Sequence, residues 1–312
     1  MAPARRYDVL GLGALAIDDL LYVDHYPAPE SKARVHHRLR QCGGLTGTAL
    51  VAAARLGARC GYAGLIGEDP LSVEVADGLR REGIDLAPAV FRADAGVAHS
   101  TIVVDSTRGT RTVFSSLTGR IGAAAEQPED SAIRSAAVLM VDHHGAAGTL
   151  RALRIAAAGG GEVVADFERV AEEPFSALLE EVGHLVVSRR FAAELTGRSD
   201  PAAAAAALRS PARRAVVVTC GAEGAWFHDA ASDAPPEHCP AFPVEVVDTT
   251  GCGDVFHGAY AAALAVGADL PTRVRFAAAA AALKATRRGG QTGAPSRPAV
   301  AELLRYGTLG HA

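Results

Sequence analysis

Lysine is almost missing from this chain. Only Lys32 and Lys284 occur among 312 residues, so arginine carries nearly all the positive charge. Acids and bases are interspersed at a net charge of −4, with no basic stripe, which excludes nucleic acid as an expected partner. Cysteine is sparse too: Cys42, Cys60, Cys220, Cys239 and Cys252 form no C-x-x-C pair, and the odd count argues against a disulfide framework. No apolar run is long enough to cross a bilayer. Arg5 and Arg6 precede only a short apolar stretch that Asp18 and Asp19 interrupt, so neither a signal peptide nor a membrane span is expected. Internal repeats and long low-complexity linkers are also missing; the alanine run at 202–207 is simply a good helix former. These absences point to a cytoplasmic protein, and the Ala- and Arg-rich composition to a GC-rich bacterial genome.

What remains is the composition of a globular protein, 49% hydrophobic and 21% charged. The length permits one large domain or two. Apolar runs at 7–13, 136–141, 162–165, 184–187, 215–219 and 244–247 predict strands. Helical stretches at 48–56, 71–82, 149–158, 191–196, 201–208, 254–266 and 272–286 separate them. Continuous Val/Leu runs imply strands buried on both faces, hence an α/β fold with a parallel sheet between helices. Two stretches, 20–40 and 98–115, instead carry alternating or β-branched residues, with a turn at Ser106-Thr107-Arg108-Gly109. They predict antiparallel strands that pair into a separate small sheet.

The most informative string is Val247-Asp248-Thr249-Thr250-Gly251-Cys252-Gly253-Asp254-Val255-Phe256-His257-Gly258. Gly251 and Gly253 leave the backbone free for positive φ and for close approach of a ligand. The unpaired amides of the turn and of the first helical turn can hold an anion. An acid at Asp254 would repel a phosphate, a poor choice for binding alone. It makes sense as the acceptor of a proton from a nucleophile attacking that phosphate. The competing reading is a glycine turn whose acid only complements the helix dipole; the flanking Asp248-Thr249-Thr250 and the long helix favour phosphoryl transfer.

The string closely resembles the D-T-x-G-A-G-D signature of the ribokinase-like (PfkB) family of sugar and nucleoside kinases, with Cys252 where alanine is usual. The resemblance implies a three-layer α/β/α domain with a mostly parallel central sheet, one domain over 1–312, and a small β lid drawn from about 20–40 and 98–115. It implies Asp254 as base and the amides of Gly251, Cys252, Gly253 and Asp254 as an anion hole. Gly43-Gly44 and the helix containing Thr48 resemble the family's N-terminal signature and join Asp18, His143 and Asp254 as expected sugar contacts. Thr48 stands where many relatives carry Asn. Thr219-Cys220-Gly221-Ala222-Glu223-Gly224 resembles the nucleotide loop, placing Thr219, Gly221 and Gly224 at ATP, with Ala281 and Lys284 on the adenine-side helix. Asp248, Thr250, Ala285, Arg288 and Gly290 are the implied ligands of a monovalent cation such as K⁺, although no side-chain ligand is evident at Ala294. ATP and Mg²⁺ are the implied cofactors, and lid-to-lid homodimers are the implied assembly.

The family's N-x-x-E motif is lost, with Ser188-Arg189-Arg190-Phe191 in its place. Asp166 and Glu168 are then expected to support Mg²⁺ through water. The pairs His36-His37 and His143-His144 have no third ligand at metal spacing. His143-His144 follow a strand at the edge where α/β ligands bind, hence their reading as sugar- or anion-pocket residues. Lys32, Arg34 and Arg111 on the lid strands could contact an anionic substituent, but a solvated face is the expectation.

In detail the C-terminal half looks most like ketose kinases of the fructose and sulfofructose type. Lys32 lies where a sulfonate-contacting lysine would, but Ser115 and His143 replace the expected partners, so sulfofructose is not inferred. A nucleoside kinase of the same family is the near alternative. From other classes come a silent sugar-binding protein, suggested by the lost N-x-x-E pair, and an NAD-dependent oxidoreductase. The last rests on Gly11-Leu12-Gly13-Ala14-Leu15-Ala16, which matches a dinucleotide fingerprint but is followed by extended-looking sequence instead of a helix.

Overall fold

The structure, a computed structural model, describes residues 5–307. The chain runs β1 (Tyr7–Leu12), β2 (Ala16–Val23), β3 (His37–Gly43), α1 (Leu45–Arg55), β4 (Cys60–Tyr62), β5 (Leu65–Ile66), α2 (Pro70–Arg81), β6 (Val90–Phe91), β7 (Ala98–Asp105), β8 (Thr110–Leu117) and α3 (Asp130–Arg134). It continues through β9 (Ala136–Asp142), α4 (Ala146–Ala158), β10 (Glu162–Asp166), α5 (Phe175–Glu181), β11 (His184–Ser188), α6 (Arg189–Thr196), α7 (Pro201–Ala207), β12 (Ala215–Thr219), β13 (Ala225–Asp229), β14 (Glu237–Cys239), α8 (Cys252–Ala265), α9 (Leu270–Ala285) and α10 (Arg297–Tyr306).

Eight strands form the main sheet in the order β14-β13-β12-β11-β10-β9-β1-β4. From β12 to β4 all neighbours are parallel, and β13 and β14 close one edge as antiparallel strands. Residue alternation sends each strand to two cores. Val9, Val138 and Met140 pack with Leu50, Val255, Val274 and Leu303 on one face. Leu10, Leu139 and Val141 pack with Leu150, Leu178 and Phe191 on the other. That double burial explains the unbroken apolar runs and the three α/β/α layers.

A second, four-stranded sheet has the order β3-β2-β7-β8. Its central pair, β2 and β7, is parallel, with antiparallel partners outside. Leu20, Tyr22, Ile102 and Val104 form its small core. Every residue of β8 is exposed.

One sequence expectation fails here, and one holds. Residues 244–247 form no strand: they follow Pro243, which offers no amide for a ladder, and Val246 and Val247 stay 52% and 42% exposed. The amides of Val247 and Asp248 go to the Ala285 carbonyl instead. After Gly11-x-Gly13 the chain enters β2, not a helix, so the dinucleotide site has no structural support. Helices α3, α5 and α10 were not anticipated.

Candidate active site

The parallel strands all end at one edge of the main sheet, and their last residues lie in register. Asp166 of β10 sits beside Asp142 of β9, and Ser188 of β11 beside Thr219 of β12. Helix α8 begins over this edge. Gly251, its N-cap, has φ 76° and lends no side chain to the helix end. Among the described residues, the amides of Gly251, Gly253 and Asp254 donate to no protein acceptor. The Cys252 amide differs from expectation, since it closes a turn on the Thr249 carbonyl at 3.2 Å. A Cβ on Gly253 would touch nothing within 4 Å, so the space beside that residue is open. The pieces of an anion site are present.

Asp254 is half-buried at this helix start. Burial, then the charges of Asp166 and Glu168, push its pKa well above the carboxylate range, while Arg111 opposes and Asp18 adds to the shift. Residues from α8, β10 and two strands of the second sheet, β2 and β8, therefore converge electrostatically on one point. Asp166 is itself buried, its Oδ2 has no hydrogen-bond partner, and burial, Glu168 and Asp142 raise its pKa. Three carboxylates crowded here, with Arg111 as the opposing charge, suit a cation brought in on a phosphate. The described residues contain no cluster of three or more metal-ligating side chains, so Asp166 and Glu168 fit the water shell of Mg²⁺ better than a protein cage.

Asp18 on β2 is 9% exposed, and its neighbour Asp19 faces away to His99 (2.8 Å) and Arg40. A Cβ on Gly43 would lie 2.0 Å from Asp18 Oδ2, so only glycine lets the two strands hold the carboxylate there. Burial raises its pKa to about 6; a hydrogen bond from Ser100 opposes the rise and Asp19 adds to it. Gly44, with φ 89°, caps α1, which carries the buried Thr48. The Thr48 methyl lies 3.5 Å from the Cβ position of Gly251, so this helix borders the anion site.

His143 is buried, which pushes its pKa down to about 4; its Nε2 accepts from Arg169 Nε at 3.1 Å, and its Nδ1 has no partner. Thr219 ends β12, followed by a 3₁₀ turn at Gly221–Glu223 with positive φ at Gly221 (58°) and Gly224 (90°). Ala281 is half-buried on α9. Lys284 departs from the nucleotide role expected of it. It is fully buried, and its ammonium donates to the carbonyls of Asp248 (2.6 Å) and Arg287 (3.1 Å). Burial lowers its pKa, with Cys252 and Asp248 pulling the other way.

Asp248 is held from three sides. Its Oδ1 accepts from the Thr250 amide at 2.8 Å, and its Oδ2 from Tyr22 Oη (2.7 Å) and the Gly289 amide (2.8 Å). Burial opposes its ionisation, but the Lys284 charge and these bonds hold its pKa below the usual range. At the lost N-x-x-E motif, Ser188 caps α6 and Phe191 is buried in the core. Arg189 pairs with Glu223 of the 3₁₀ turn at 2.6 Å.

Sequence reasoning missed three participants. Arg111 is exposed, as expected, but its Nη1 also reaches Thr249 Oγ1 at 3.2 Å, joining β8 to the signature. Tyr22 carried no motif. Asp142 is fully buried and binds the Ala14 amide, the Thr46 hydroxyl and His144 at the crossing of β1, α1 and β9. Only its place at a strand end, before two histidines, could have flagged it.

Such a site, an acid beside free amides at the carboxyl edge of a parallel sheet, defines a phosphotransferase acting on an alcohol. The family of pfkB carbohydrate kinases matches residues 8–297, and the chain belongs to that family. It is a sugar or nucleoside kinase of the ribokinase-like type. A ribokinase from Haemophilus influenzae is 26% identical over 95% of this chain and 97% of that protein. A nucleoside kinase from Methanothermobacter thermautotrophicus is 26% identical over 92% of each. A crystal structure of a candidate ribokinase from Agrobacterium tumefaciens superposes with TM-score 0.84 at 30% identity, covering 95% of this chain and 97% of that one.

Proposed function

We propose that this protein phosphorylates a sugar hydroxyl with ATP, and that Asp254 is the base. Asp18 and Gly43 hold the sugar under the second sheet, and Asp18 accepts hydrogen bonds from its hydroxyls. The reacting oxygen bonds to the γ-phosphorus, its proton passes to Asp254, and ADP leaves. The open amides of Gly251, Gly253 and Asp254 face the phosphoryl oxygens where charge spreads. Thr219, Gly221 and Gly224 line the nucleotide side, and Ala281 borders it. Mg²⁺ carried on ATP supplies neutralisation of phosphate charge; Asp166 and Glu168 would hold its water shell. The second sheet closes as a lid and excludes water that would otherwise hydrolyse ATP. Its exposed β8, with Val113, Phe114 and Leu117 on the surface, favours a lid-to-lid homodimer.

The observation that carries this reading is Asp254 at a helix start whose amides are free. Two relatives bear on the acceptor: the Haemophilus influenzae ribokinase and the methanogen nucleoside kinase above. ATP consumption across pentoses, ketohexoses and nucleosides tests the choice. Turnover with a sugar supports the proposal. Turnover with nucleosides alone replaces the acceptor, and sugar binding with no turnover on any acceptor overturns catalysis.

A further inference from the structure

We infer that Arg189 is a phosphate-binding residue: its guanidinium, held by Glu223, meets the triphosphate of ATP between the amide cradle of α8 and the nucleotide loop. The role rests on ATP binding at this edge, as proposed above.

The sheet edge places Arg189 between those two sites. The His257 ring, one turn into α8, lies 2.8 Å from the Gly253 carbonyl and 2.9 Å from the Val186 carbonyl of β11. The start of α8 therefore sits over the end of β11. Two residues on, β11 finishes at Ser188, in register with Thr219 of β12, and Arg189 opens α6. A polyphosphate reaching from the cradle to Thr219 and Gly221 passes this point.

Arg189 points at the nucleotide loop and keeps donors in hand. Its Nη1 and Nη2 donate to Glu223 Oε1 (2.7 Å) and Oε2 (2.6 Å), while its Nε has no hydrogen-bond partner. Guanidinium has five N–H donors, so a fork engaged by one carboxylate can still bind a phosphate. The loop does not need the ion pair to hold its shape. The Cys220 amide closes on the Gly224 carbonyl (2.7 Å), the Gly224 amide on the Gly221 carbonyl (3.0 Å), and the Glu223 carbonyl meets the His238 ring (2.7 Å). What the pair supplies is charge. Left alone, Glu223 would repel a triphosphate, and the cradle end is already crowded by Asp254, Asp166 and Glu168. Arg189 neutralises the loop's acid and brings a cation to the nucleotide's path.

Calorimetric binding of ATP in excess Mg²⁺, with no acceptor present, tests the assignment. Arg189→Ala should weaken ATP roughly tenfold or more, the worth of a charge-assisted bond. Arg189→Lys keeps a point charge without the fork and should fall between. Glu223→Gln breaks the ion pair but leaves the arginine, and should bind ATP at least as tightly as wild type. A mere latch between α6 and the loop predicts that Arg189→Ala and Glu223→Gln lose affinity alike, and that result overturns the proposal. So does unchanged affinity in Arg189→Ala. If Arg189→Ala does not fold, Arg189→Lys against Glu223→Gln decides by the same contrast. Because binding is read without turnover, the two failures separate: a wild type that binds ATP yet phosphorylates no acceptor overturns the kinase reading alone, and one that binds no ATP overturns both.

Discussion

Tyr22 Oη donates to Asp248 Oδ2 at 2.7 Å and itself receives the Gly289 amide at 3.1 Å. One hydroxyl thereby ties the second sheet to the signature and to the loop after α9. Because the acceptor is charged and buried, Tyr22→Phe should cost about 1.5–3 kcal/mol. A urea titration measures it, and an unmoved midpoint would mean the bond contributes nothing.

Replacing the base tests the chemistry without emptying the site. Asp254→Asn keeps the shape and the amides, so nucleotide and sugar affinities should persist while kcat falls ~10²–10⁴-fold. Near-normal turnover would remove Asp254 from the role.

Asp18 gives a pH signature. Its pKa of about 6 in the folded protein lies above its unfolded value, so the folded state favours the protonated form. Its contribution to stability is present below pH 4 and is lost as pH rises through about 6. At pH 7.5, Asp18→Asn should therefore be more stable than wild type in the absence of ligand, by on the order of 2–3 kcal/mol, and the gap should shrink to nothing by pH 4. Sugar affinity runs the opposite way and should improve from pH 5 to pH 7, as the carboxylate forms to accept hydroxyl protons. A pH-independent gap would show that Asp18 does not ionise in this range.

Two glycines of α8 should part company. A Cβ on Gly258 would lie 2.0 Å from the Ala49 carbonyl, where α8 crosses α1, so Gly258→Ala should destabilise by about 1–3 kcal/mol. Gly253 has open space at the same atom, and in a helix alanine is favoured by roughly 0.5–1 kcal/mol. Gly253→Ala should fold at least as well as wild type yet lose turnover, because the new methyl enters the space in front of the free amides. Denaturation midpoints and kcat on the same two proteins check both statements.

Much of the layer architecture could be read locally. The helix expected at 71–82 appears at Pro70–Arg81 because Asp69 accepts the amides of Leu71 and Ser72 and Pro70 presets the first turn. The parallel strands were legible because burial on both faces leaves an unbroken apolar run. The run at 244–247 looked the same and failed, since apolar residues become a strand only where a neighbouring edge offers hydrogen bonds, and here the Ala285 carbonyl took the amides. At the site, glycines and acids on one short string announced the anion cradle. Phe191 shows the limit: at a position where the family's motif places a polar residue, its side chain belongs to the core.

The chain's own order of residues determined the alternation of strands and helices, the turn before α8 and the identity of the acid beside it, because each depends on neighbours a few positions away. Tertiary structure alone decided that Tyr22 meets Asp248, that Arg111 reaches Thr249 and that Lys284 spends its charge on two carbonyls. Strands β2 and β8 and helix α9 lie far in sequence from the signature they meet, and a long flexible side chain has no preferred acceptor until folding brings one within reach.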